Sequence, residues 1–102
     1  MQAYAIGTVQ MRDPSWVEEY LAKLQPLLEK HGGRCLVRAW KMEKLEGAAP
    51  PSDVLVVLEF PTMEHARAWY RDPEYTPLIK LRQGGSETEL ILAEGVSFGP
   101  IS

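Results

Sequence analysis

The segment Val54-Leu-Val-Val-Leu-Glu-Phe60 constrains this chain most. Strand side chains alternate between faces, so Val54, Val56, Leu58 and Phe60 point one way while Leu55 and Val57 point the other. Both faces are apolar. Tyr4 and Ile6 set against Ala3, Ala5 and Val9 repeat the pattern near the start of the chain, and Leu90 and Leu92 set against Ile91 and Ala93 repeat it near the end. A sheet built from such strands needs cover on both sides.

The helices that could supply cover are few. Asp13 offers an N-cap with Pro14 at the first helical position, and Ser15-x-x-Glu18 offers a capping box two residues later. From there Val17, Tyr20, Leu21, Leu24, Leu27 and Leu28 recur at three and four, one apolar stripe that Pro26 is expected to kink. Lys30-His31 followed by Gly32-Gly33 ends this helix. Strands are predicted over 4–10, 34–44, 54–60 and 90–93, with 46–53 and its Pro50-Pro51 as the hairpin loop between the second and third. Thr62 caps a second helix with Met63, Ala66, Trp69 and Tyr70 on its apolar side, stopped by Asp72-Pro73. Residues 75–81 add a helical turn or two, and Gly84-Gly85-Ser86 reads as a flexible turn.

The element order βαββαβ folds, through right-handed crossovers, into a ferredoxin-like α+β domain: a four-stranded antiparallel sheet with two helices on one face. With 102 residues there is room for one domain, placed over 1–96, and an irregular tail over 97–102. Two helices cover one face. The other face predicts a homodimer, because bare it would expose an apolar patch beyond the few hundred Å2 that monomers carry.

Five ordered motifs, His31-Gly32-Gly33-Arg34-x-Leu36-Val37-Arg38, Leu45-Glu46-Gly47, Leu58-Glu59-Phe60-Pro61, Ala68-Trp69-Tyr70 and Pro73-Glu74-Tyr75, resemble the domain-of-unknown-function 1330 (DUF1330) family of the dimeric α/β-barrel superfamily. The resemblance spans about 4–95 and implies a protomer whose sheet packs on a second sheet to close a barrel. It implies no particular reaction, since relatives in the superfamily include cofactor-free oxygenases, small-molecule isomerases and haem enzymes. Where the family usually carries small residues after Arg38, this chain has Ala39-Trp40. A Trp40 pointing inward would make the family's cavity smaller here.

Charge and composition narrow the partners. Eleven Lys plus Arg against fourteen Asp plus Glu give a net charge of −3, which argues against a nucleic-acid backbone. One cysteine and two histidines leave no disulfide and no metal cage, and no cofactor is expected. No phosphate-cradling glycine loop is present. Without a basic leader or a run near ~20 apolar residues, no membrane association is expected and the cytoplasm is the expected location.

Arg38 sits on an apolar strand, so its guanidinium must pair with Glu59 or Glu46 across the hairpin, snorkel, or hold an anionic ligand. Arg34 and Arg82 complete a cationic set. His31 could move a proton, or could simply serve the helix C-terminus. Glu59, among apolar neighbours, is the other candidate for proton transfer. His65 reads as solvated and Cys35 as a buried, inert thiol. Trp69, Tyr70 and Tyr75 could wall a pocket with Trp40, with Tyr75 at its mouth, or could belong to the core. Two functions follow: binding of a small organic molecule, anionic where Arg38 anchors it, in a cleft between helices and sheet with scope for cofactor-independent catalysis by His31 or Glu59; or a non-catalytic interaction dimer.

Overall fold

A computed structural model describes residues 1–96; the expected tail over 97–102 lies outside the described residues. Strand β1 (Ala3–Met11) leads through a short 3-10 turn (Pro14–Trp16) into helix α1 (Val17–Lys30). Strands β2 (Arg34–Ala39) and β3 (Val54–Phe60), helices α2 (Met63–Arg71) and α3 (Thr76–Gly85), and strand β4 (Ser86–Glu94) follow. The sheet order is β2-β3-β1-β4, with every neighbouring pair antiparallel, the ferredoxin-like arrangement.

Local chemistry accounts for the element ends. Asp13 is extended and its side chain accepts from Ser15 N at 3.0 Å, so the cap with Pro14 behind it starts the 3-10 turn, and α1 grows from that. Gly32 has φ +73° and Gly33 N donates to Leu28 O at 2.8 Å, the left-handed close expected after Lys30-His31. Thr62 accepts from His65 N at 3.1 Å and caps α2. The helix α1 runs unbroken through Pro26, which is exposed.

Three segments depart from the sequence expectation. β2 ends at Ala39, five residues short, leaving 40–53 without regular structure. Gly84 and Gly85 form the last turn of α3 instead of a flexible turn, because the Gly85 carbonyl accepts from Arg12 N and Asp13 N, each at 2.9 Å. β4 then starts at Ser86 and pairs along the whole of β1, longer than the four residues anticipated.

The faces separate as the alternation requires. Ala3, Ala5 and Val9 of β1 and Leu58 and Phe60 of β3 are buried under the helices, with Trp16, Tyr20, Leu24, Leu27, Leu28, Ala66, Trp69, Tyr75 and Leu78 packed on them. The opposite face carries Tyr4, Ile6, Leu55, Val57, Val37 and Ile91, with Ile91 60 % exposed. The molecule is 16 Å thick along its shortest axis, enough for one sheet and one helical layer.

Candidate functional site

A cleft of about 280 Å3 opens between α1 and the sheet. Trp16, Val17, Tyr20, Leu21, Leu24 and Leu28 roof it, and Gly7, Val9, Val54, Val56, Leu58 and Leu90 floor it. Gly7 and its small neighbours Ala3 and Ala5 keep the middle of β1 low; a Cβ on Gly7 would lie 3.2 Å from Leu90 Cδ1. The lining is mostly apolar; Gln25 and Thr88 add neutral polar groups, and the cationic groups enter at two places. Arg38 and Trp40 stand at the exposed β2 side, with Trp40 70 % exposed, and Tyr75 and Arg82 close the buried α3 side.

Arg38 reaches this face because β2 is irregular. Cys35 pairs with Leu58 and Val37 with Val57, so Leu36 is the extra residue of a bulge and the alternation shifts by one after it. Arg38 then lies opposite Val56, on the helix side of the sheet. Glu59 lies on the other face, where Arg34 takes it: Arg34 Nη2 is 2.8 Å and Nε 2.9 Å from Glu59 Oε1. Of the partners open to Arg38, Glu59 is therefore taken by Arg34. Cys35, expected buried, is exposed and lines the cleft.

At the buried end three side chains join. Tyr20 Oη and Tyr75 Oη are 2.6 Å apart, and Arg82 Nη1 donates to Tyr75 Oη at 2.8 Å and to Tyr20 Oη at 3.2 Å. Tyr75 is fully buried, Arg82 is 6 % exposed and Tyr20 8 %. Burial pushes the Tyr75 hydroxyl well above the ordinary phenol range, so it stays protonated. Burial works against the charge on Arg82, yet the two phenol oxygens that accept from it hold its proton affinity above the ordinary value. Among the described residues no acidic residue lines the cleft and no carboxylate pairs with Arg82.

The other candidates lie elsewhere. Trp69 is buried behind the site, its ring 4.5 Å from that of Tyr75 and 5.3 Å from that of Phe60, so it backs Tyr75 without lining the cleft. Tyr70 is 43 % exposed with its ring edge-on to Tyr75 at 6.0 Å. His31 Nε2 is 2.7 Å from Asp72 Oδ2, joined there by Lys30 Nζ at 2.9 Å. That buried carboxylate is held far below its usual range by His31, by the Glu74 amide and by Lys30. His31 thus ties the end of α1 to the α2–α3 junction. His65 is exposed, its Nδ1 2.7 Å from Thr62 Oγ1.

Tyr20 and Arg82 were not singled out for a shared site by sequence. The available signal was spacing: Tyr75, Leu78 and Arg82 fall at intervals of three and four, which places an arginine inside the apolar stripe of α3. Among the described residues no group of three or more His, Cys, Asp or Glu could hold a metal ion, and no helix is long and apolar enough to cross a membrane.

Comparison with known proteins agrees with this architecture. The family model for the domain of unknown function DUF1330 matches residues 2–96, and the chain belongs to that family. No curated protein sequence matches. A solved protein of unknown function from Rhodopseudomonas palustris superposes with a TM-score of 0.78 at 20 % identity, covering 94 % of this chain and 83 % of that one. A dimeric ferredoxin-like protein of unknown function from Jannaschia sp. CCS1 gives 0.71 at 11 % identity, with 93 % and 100 % coverage. SnoaB, a cofactor-independent oxygenase from Streptomyces nogalater, gives 0.65 at 13 % identity, with 97 % of each chain covered.

Proposed function

We propose that this DUF1330 protein binds a small organic molecule in the cleft between α1 and the sheet. The observation that carries the reading is the lining: a mostly apolar hollow with two arginines and, among the described residues, no carboxylate, closed at one end and open at the other. Ligand sites are commonly apolar clefts with few polar groups, of ~300–1,000 Å3, and this one lies at the lower limit. Its occupant is correspondingly small. Arg38 places positive potential at the mouth and favours an anionic ligand. Trp40 stands beside it and narrows the entrance.

Catalysis, if the cleft performs it, falls to groups that line it. His31 is engaged by Asp72 and Glu59 by Arg34, both outside the cleft, which leaves the Tyr20–Tyr75 hydroxyl pair in reach as a hydrogen-bond donor that orients or polarises the ligand. The structural likeness to a cofactor-independent oxygenase is compatible with chemistry carried by the ligand and side chains alone.

The second sheet face supports a homodimer. Its apolar residues Ile6, Leu55, Val57 and Ile91 are contiguous in register, and among the described residues no helix covers them. A second copy laid on this face would bury an interface of the standard ~1,600 Å2 class. The dimeric ferredoxin-like neighbour gives a precedent for such an assembly.

The test is thermal unfolding with a panel of small aromatic acids and their neutral amides, on the native protein and on Cys35→Phe. Cys35 lines the cleft yet is exposed, so a larger ring there fills the cleft at little cost to the fold. A ligand at a hundred times its Kd adds about 2.7 kcal/mol of stability. Stabilisation of the native protein that Cys35→Phe abolishes supports the reading; no response to any compound leaves an interaction dimer without a ligand.

A further inference from the structure

The buried end of the cleft holds a charge without a counter-charge. Arg82 is 6 % exposed and carries its guanidinium charge at any pH at which proteins fold. Its visible acceptors are two neutral phenols, and its Nε has no hydrogen-bond partner among the described residues. Burying an ion without an opposite charge is costly, and such ions normally sit beside a carboxylate. Here the groups it meets are the phenols of Tyr20 and Tyr75, at the inner end of the cleft.

Counting hydroxyl protons gives a second, independent observation. Tyr20 Oη and Tyr75 Oη share one hydrogen bond at 2.6 Å, in which one phenol donates to the other. Arg82 Nη1 only donates, so it takes neither phenol proton. One hydroxyl proton is left over. No further acceptor for it is found among the described residues, and both tyrosines line the cleft.

We infer that Tyr20, Tyr75 and Arg82 form an oxyanion site, and that the ligand class is a small monocarboxylate with a flat apolar body. This rests on the cleft being a ligand site and specifies its occupant. One carboxylate oxygen takes the leftover phenol proton as a hydrogen-bond acceptor, and the carboxylate charge offsets the guanidinium in a setting where water competes little. The apolar body lies under α1, between Leu24 and Val56, pointing toward Trp40. Because burial keeps Tyr75 protonated, the negative charge stays on the ligand. Arg38 at the mouth attracts the anion and Arg82 seats it.

The experiment uses quenching of Trp16 and Trp40 fluorescence by 4-nitrobenzoate and by the neutral 4-nitrobenzamide, with 4-nitrophenol as a single-oxygen acid. The native protein should bind 4-nitrobenzoate at least tenfold more tightly than the amide. Arg82→Met should erase that preference while leaving the amide unchanged, and should melt no lower than the native protein, since it replaces an unpaired buried ion by an apolar side chain of similar length. A purely structural arginine would instead lose stability. Should Arg82→Met fail to fold, the neutral polar Arg82→Gln carries the same comparison. Equal binding of acid and amide overturns the oxyanion site and leaves the cleft as a neutral-ligand site. A preference lost in Arg38→Ala but kept in Arg82→Met moves the anion to the mouth and overturns the assignment. A preference for 4-nitrophenol over 4-nitrobenzoate overturns the carboxylate class. No quenching by any probe removes the ligand site as well.

Discussion

Substituting alanine for each of two adjacent glycines should change stability in opposite directions. Gly84 and Gly85 both lie in the last turn of α3. A Cβ on Gly84 meets nothing within 4 Å, so Gly84→Ala gains the helix propensity of alanine and a less flexible unfolded chain, about 0.5–1 kcal/mol. A Cβ on Gly85 would lie 2.2 Å from Trp16 Cδ1 and 2.5 Å from the Asp13 carbonyl oxygen. The indole could turn, but the carbonyl belongs to a backbone segment held by Arg12 N and Asp13 N on the Gly85 carbonyl itself. Relief therefore displaces the 3-10 turn and the Trp16 wall of the cleft, an overpacking cost of about 1–3 kcal/mol. The two variants should differ by about 1.5–4 kcal/mol, and at ~4–8 °C of Tm per kcal/mol for a domain of this size the gap is easily read by calorimetry. Equal melting temperatures, or Gly85→Ala the more stable, would refute the packing of α3 against Trp16.

Tyr75→Phe should destabilise by about 1.5–3 kcal/mol in urea unfolding, because Arg82 loses its shorter acceptor while remaining buried; a change within error would show that the hydroxyl holds nothing. Asp72 has a folded-state pKa below its unfolded value, so its stabilisation is complete above the unfolded pKa of ~3.9 and is lost as pH falls through the lower folded value. Urea midpoints of the native protein should fall more steeply than those of Asp72→Asn below about pH 4, and parallel curves would contradict the His31–Asp72–Lys30 cluster. Ile91→Lys, on the bare face and 60 % exposed, should keep the far-ultraviolet spectrum of the native chain while sedimenting as an 11.5 kDa monomer; a native protein that is already monomeric would remove the dimer.

The order of elements and the faces of β1, β3 and β4 were legible because alternation of apolar residues is local and each pair of faces repeats it. Strand β2 was not. Nothing in Cys35-Leu36-Val37 marks a bulge, and yet the one-residue shift decides that Arg38 joins the cleft and leaves the face on which Arg34 pairs with Glu59. The Gly84-Gly85 pair reads locally as a turn, and contact with Trp16 and the two amides on the Gly85 carbonyl makes it helix. Tyr75 was placed in a pocket wall from its position after a helix break; its burial at the inner end, backed by Trp69, depends on how α2 and α3 pack and left no local sign. The junction of Tyr20 with Arg82 spans sixty-two positions of sequence, a separation at which pattern alone carries no pairing information.

A crystal of the protein soaked with 4-bromobenzoate tests the central claim most directly, because bromine scatters anomalously and marks the far end of the ligand. The account predicts an anomalous peak inside the cleft toward Trp40, with the carboxylate within hydrogen-bond reach of the Tyr20–Tyr75 hydroxyls and beside Arg82. Bromine found only outside the cleft, or a carboxylate turned outward onto Arg38 with the buried end left to apolar atoms, would contradict it.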